Sequence, residues 1–159
     1  MKTKILITLF TIIFALLVLT VFTADRLHNI SMYCKSEKLS YENRRRMLDV
    51  AQALDPGNAE FYYSEYEMIN AYLESDKYEG YAHDLRKKEL TQLKKAINLR
   101  PAWPLYHMVY ALTTARFVDK PNIITKGIIL SEMGKSVELR PFDKTYKDLY
   151  QKYLKKYGK

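Results

Sequence analysis

The hydrophobic pattern divides the chain sharply. Ile5 through Ala24 contains no charged residue, and Asp25-Arg26 ends the run. Twenty helical residues at about 1.5 Å each span about 30 Å, the thickness of a bilayer core. This predicts a membrane helix over 1–24. Beyond it the apolar positions recur at helical spacing. Tyr62, Tyr66, Ile69 and Leu73 form one set, and Leu105, Met108, Ala111, Leu112 and Ala115 form another. Phe142, Tyr146, Leu149, Tyr150, Tyr153 and Tyr157 form a third. Between these lie Ala82, Leu85, Leu90, Leu93 and Ile97, and then Ile124, Gly127, Ile128, Ser131 and Gly134. Such spacing predicts amphipathic helices. No alternating β-branched run is long enough for a strand, so the fold class is all-α.

One phrase recurs three times: Ala51-Gln52-Ala53-Leu54-Asp55-Pro56, Ala96-Ile97-Asn98-Leu99-Arg100-Pro101 and Ser136-Val137-Glu138-Leu139-Arg140-Pro141. The proline cannot continue a helix and restricts the residue before it. The small residue five positions earlier lets a neighbouring helix approach. Each proline is expected to close one helix and open the next. Asn58 can cap the helix after Pro56, and Pro104 suits a first helical turn. Gly127, Ser131 and Gly134 share a face, which suits close helix contact.

Composition narrows the class. The chain is 48% hydrophobic and 28% charged, which excludes a disordered chain. The single cysteine, Cys34, excludes an internal disulfide and cysteine-based zinc sites. The apolar N-terminal run exceeds the apolar stretch of a signal peptide, and Phe22 would sit where a cleavage site needs a small residue. A retained anchor is therefore expected. Lys2 and Lys4 favour a cytoplasmic N-terminus, whereas Arg26, Lys35 and Lys38 argue the other way. The short head favours a domain facing outward, which in a bacterium means the periplasm. The net charge is +8. Its runs, Arg44-Arg45-Arg46, Lys87-Lys88, Lys94-Lys95 and Lys155-Lys156, fan around their helices and form no single stripe. That pattern fits solvated faces rather than a nucleic-acid patch, although Arg44 to Arg46 lies close enough to the membrane to meet headgroups.

Chemistry is sparse. His28, His83 and His107 have no second histidine or cysteine at metal-ligand spacing, and read as solvated or interface residues. No phosphate loop or nucleophile elbow occurs. No enzyme activity, cofactor or metal is expected from these residues. All 14 tyrosines follow the anchor. Tyr146, Tyr150, Tyr153 and Tyr157 form one stripe that either packs the last helix or offers an aromatic surface. Trp103, beside a turn, is expected to be buried at a helix-pair junction.

The three Ala/Ser-x-x-Leu-x-Pro phrases, with Asn58-Ala59-Glu60 and Tyr62 at a helix start and the Asp76-Lys77-Tyr78-Glu79 turn, resemble the tetratricopeptide family. That family repeats every 34 residues or about that. Here the prolines are 45 and 40 apart and the usual glycine of the first helix is missing. The resemblance implies a short tetratricopeptide-like α-solenoid of about two and a half helix hairpins. It opens with Glu37–Leu54 and closes with Phe142–Tyr157. The expected organisation is an anchor over 1–24, a helical juxtamembrane segment over 25–36 and the repeat domain over 37–159.

Ile97-Asn98-Leu99-Arg100-Pro101-Ala102-Trp103-Pro104 followed by Glu138-Leu139-Arg140-Pro141-Phe142 is similar to the VpsP-like family of polysaccharide-biosynthesis accessory proteins. That likeness implies a partner among polysaccharide polymerases, ligases or export enzymes. The expected function is a scaffold or assembly subunit at the bacterial inner membrane, held there by residues 5–24. In the repeat architecture the first helices line the inner face. Tyr62, Tyr66, Tyr72, Trp103, His107 and Tyr110 are therefore the expected partner-binding residues. The rival reading is a carbohydrate-binding module using surface tyrosines, and a third is an enzyme subunit whose site needs a second chain.

Overall fold

The computed structural model describes residues 2–33, 39–75, 82–118 and 121–158. Cys34 and the Asp76–Glu79 turn lie outside the described residues. Among the described residues there are seven helices and no strand. They are α1 (Lys2–Tyr33), α2 (Tyr41–Leu54), α3 (Ala59–Leu73), α4 (Ala82–Leu99), α5 (Pro104–Phe117), α6 (Ile123–Leu139) and α7 (Lys144–Tyr157). The chain forms two compact units, residues 1–61 and 62–159.

In the first unit α1 is long and apolar enough to cross a bilayer. Its side chains from Ile5 to Phe22 are almost all exposed. Polar groups within this stretch are satisfied locally. The Thr11, Thr20 and Thr23 hydroxyls donate to the carbonyls of Ile7, Leu17 and Leu19 at 2.9, 2.8 and 2.7 Å. A hydroxyl bonded to its own helix costs little in an apolar medium. The helix does not stop at Asp25 but continues to Tyr33. Its last turns pack on α2, where Ala24, Ala51 and Phe61 are buried with Leu27 and Leu54 against them. Ser40 caps α2, its hydroxyl accepting from the Asn43 N–H at 3.3 Å. Arg44 reaches back to α1, donating to the Ser31 carbonyl at 3.1 Å. Arg45 approaches Asp49 at 4.0 Å. The basic run is thus partly spent on holding this hairpin together. His28, expected to be solvated or at an interface, is buried, with its ring 5.0 Å from that of Phe61.

The three recurring phrases fold alike. Helices end at Leu54, Leu99 and Leu139. The N–H of the residue before each proline (Asp55, Arg100, Arg140) donates to the carbonyl of the small residue at 2.9, 2.9 and 3.1 Å. The carbonyl of that same residue then accepts from the N–H three positions on, Asn58, Trp103 or Asp143, at 3.3, 3.1 and 3.1 Å. This places proline second in a four-residue turn, where its fixed φ fits. The next helix starts one residue later each time. Ala51, Ala96 and Ser136 are fully buried, so the small residue sits at a helix contact as its size predicts. Asn58 takes the N–H of Glu60 at 3.1 Å, and Pro104 opens α5.

In the second unit α4, α5, α6 and α7 pack each against the next. Tyr66 of α3, Leu93 of α4 and Tyr110 of α5 form one core. Met108 and Ala111 of α5, Ile129 and Met133 of α6, and Tyr157 of α7 form another. Tyr146, Tyr150 and Tyr153 pack against that second cluster. The tyrosine stripe is therefore the face by which α7 attaches. A Cβ on Gly134 would lie 3.9 Å from the Tyr150 ring. Gly127 faces open space and Ser131 is exposed, so close packing on this face is confined to Gly134. Phe142, expected to begin the α7 stripe, lies before that helix and is 97% exposed.

Candidate functional site

The α3 face that meets α4 carries charge. Glu65 is completely buried and pairs with Lys88. The Gln92 amide donates to its other oxygen at 2.7 Å. One turn along α4, Glu89 is 3% exposed. Its Oε1 is buried and has no hydrogen-bond partner among the described residues. Burial pushes the Glu89 carboxyl up to about 7; Arg86 and Arg116 pull it down, and Glu74 adds a smaller upward push. Desolvation outweighs the two guanidinium groups because neither bonds to the carboxylate and both are partly solvated.

Glu89 lines a recess of about 150 Å³ between α3, α4 and α5. Asn70, Glu74, Arg86, Thr113 and Arg116 supply the other polar walls, with Leu73 and Phe117 beside them. At the rim Arg116 donates to Glu74 at 3.1 Å and to Asn70 at 3.3 Å. The Thr113 hydroxyl is 3.4 Å from that of Tyr66. The Tyr66 hydroxyl is pushed up, first by burial and then, against the Thr113 bond, by Glu89.

A second feature is the end of this unit formed by the α4–α5 and α6–α7 turns. The Ser136 hydroxyl donates to the Pro104 carbonyl at 3.0 Å, which sets the end of α6 beside the start of α5. Leu99, Trp103, Leu105, Leu139 and Phe142 are all exposed here, Trp103 by 49%. Arg100 and Arg140 are exposed among them. Trp103 was expected in the interior. It stays at the surface, in the turn just before α5, with its ring centre 6.3 Å from that of the buried Tyr106.

The residues expected to bind a partner divide by burial. Tyr62, Tyr66, His107 and Tyr110 are buried, Tyr72 is half-buried and Trp103 is exposed. Tyr66 and Tyr110 belong to one core. The His107 ring is held at both nitrogens, Nδ1 2.6 Å from Glu132 and Nε2 2.7 Å from the Pro101 carbonyl. It locks the α4–α5 turn to α6 and is neither solvated nor at a free surface. Tyr62 lies under Lys95, whose ammonium is 5.2 Å from the ring centre. Of the described tyrosines only Tyr33 is exposed. Trp103 is therefore the one exposed residue of the six. Glu89 and Phe142 were not anticipated. The one available signal for Glu89 is register: it falls four before Leu93 and seven before Ala96, on the face those residues bury.

Among the described residues no group of three or more His, Cys, Asp or Glu is placed to hold a metal ion. No protein-family model matches the chain, and no curated protein matches it either.

Proposed function

We propose that the chain is a membrane-anchored scaffold or assembly subunit that docks a partner protein at the turn-bearing end of its second unit. The observation that carries this reading is the exposure of Trp103 and Leu99 at the α4–α5 turn and of Leu139 and Phe142 at the α6–α7 turn. Burying such a surface gives about 25 cal/mol per Å², and aromatic and arginine side chains are the usual anchors of protein interfaces. Arg100 and Arg140 at its border favour a partner whose apolar surface has an acidic rim. The exposed apolar length of α1 supports a membrane anchor over 5–24, and the short basic head favours the rest of the chain facing the periplasm. The three matching turns support a tetratricopeptide-like stacking of hairpins. The Arg-Pro-x-Trp-Pro phrase, which contains the exposed Trp103, supports a partner from polysaccharide assembly, such as a polymerase, ligase or export enzyme. The carbohydrate-binding alternative needs tyrosine rings at the surface, and among the described tyrosines only Tyr33 is exposed, the others being buried or half-buried.

A photoreactive phenylalanine analogue at position 142, activated in native membranes, tests the reading. One protein adduct of defined mass is expected, and Trp103→Ala and Arg100→Glu are expected to abolish it. The same probe at Ile124, about 24 Å away at the other end of α6, is expected to give none. Adducts to lipid alone, or the same adducts from both positions, refute the proposal.

A further inference from the structure

The recess around Glu89 presents a buried carboxylate oxygen that no group among the described residues satisfies. A buried carboxylate oxygen with no donor loses its hydration and gains nothing in return, which costs on the order of 1–3 kcal/mol or more. Such an atom persists where something else supplies the donor. Beside it, one turn earlier on α4, Arg86 lines the same recess and makes no ion pair among the described residues. Arg116 and Glu74 already pair with each other at the rim, where both are more than half exposed. The groups of the recess outside that pair are thus one acid and one guanidinium, with Thr113 of α5, bonded to Tyr66, on the facing wall.

The charges select the ligand class. An anion would meet Glu89 and Glu74, and a cation would meet Arg86 and Arg116. A neutral apolar solute would leave the Glu89 oxygen unpaired. A molecule carrying both an ammonium and a carboxylate satisfies both groups at once. The volume selects the size: 150 Å³ holds about five waters in the liquid, enough for a short amino acid and too little for a nucleotide or a disaccharide. We propose that this recess binds a small zwitterion of α-amino-acid type, its ammonium on Glu89 and its carboxylate on Arg86. This site is separate from the turn-bearing end, so either proposal can fail without the other.

The test is calorimetric titration of the full chain in detergent micelles with L-alanine and L-serine. Acetate and methylammonium serve as single-charge controls. One amino acid is expected to bind per chain, with no binding of either control at the same millimolar concentrations. Glu89 must be ionised to hold an ammonium, and its carboxyl titrates near 7 with Glu74, Arg86 and Arg116 as its charged neighbours. Affinity is therefore expected to be about tenfold weaker at pH 6 than at pH 8. Glu89→Gln is expected to lower affinity at least tenfold and remove the pH dependence, and Arg86→Met to lower it similarly, with helical circular dichroism unchanged. The proposal is overturned if neither amino acid binds, if acetate or methylammonium binds equally, or if both variants bind as the parent does.

Discussion

Replacing Glu89 with glutamine is expected to remove a pH-dependent cost from the second unit. The folded carboxyl takes up its proton near pH 7, and the unfolded one near 4.5. Below pH 4.5 both states are protonated and the group favours neither. Between 4.5 and 7 the folded chain holds a proton that the unfolded chain has released, so stability falls as pH rises. Above 7 the full cost is present. A rise from 4.5 to about 7 corresponds to about 3 kcal/mol, at about 1.4 kcal/mol per pH unit. Glutamine carries no charge at any of these pH values, so its own cost is constant. The gap between parent and Glu89→Gln is therefore expected to widen by about 3 kcal/mol from pH 4.5 to pH 8 in favour of the variant. For a chain of this length that is a melting difference of about 6 to 12 °C. Trp103 is the single tryptophan and lies in the second unit, so its fluorescence follows the relevant transition in thermal melts of the micelle-bound chain. Comparing the two proteins at each pH cancels every other carboxylate. An equal gap at pH 4.5 and pH 8 would mean that Glu89 is as well solvated folded as unfolded, and the reasoning from its burial would fail.

Two further pairs of substitutions test the packing. Ala96→Leu inserts a branched side chain at a fully buried helix contact and is expected to cost about 1–3 kcal/mol in urea unfolding, whereas the exposed Asn98→Leu is expected to stay within about 0.5 kcal/mol. Lys88→Ala leaves Glu65 buried without its cation and is expected to cost about 3–5 kcal/mol. Arg116→Ala, which breaks a pair more than half exposed on both sides, is expected to cost less than about 1 kcal/mol.

How much could be read from the chain alone follows from where each signal resides. The ends of α2, α4 and α6 were legible because proline, the leucine two before it and the buried small residue act within one turn of helix. The apolar face of α7 was legible for the same reason: four tyrosines at helical spacing define a stripe whatever it meets. Burial of single residues was less so. His107 and Trp103 exchanged places relative to expectation. The imidazole was drawn in by Glu132, which is 25 positions away, while the indole stays at the surface in the turn just before α5. The polar recess was hidden because Glu65 and Glu89 are buried only once α3 and α4 face each other: Glu65 looks like one of several acids along α3, and Glu89 like an ordinary surface acid in the lysine-rich α4. The run of Arg44 to Arg46 misled in the opposite sense: it reads as solvated charge, yet Arg44 makes a tie across thirteen residues to the Ser31 carbonyl.

The unbroken passage of α1 from its lipid-length portion to Tyr33 has a mechanical corollary. No glycine, proline or bend intervenes between Ile5 and the turns that hold α2, so no joint absorbs a change in orientation. A span that leans to match a thinner bilayer, by the tens of degrees such helices reach, carries the attached hairpin with it like the head of a lever. Inserting two glycines after Ala24 would uncouple the pair, leaving the hairpin indifferent to how thick the surrounding lipid is.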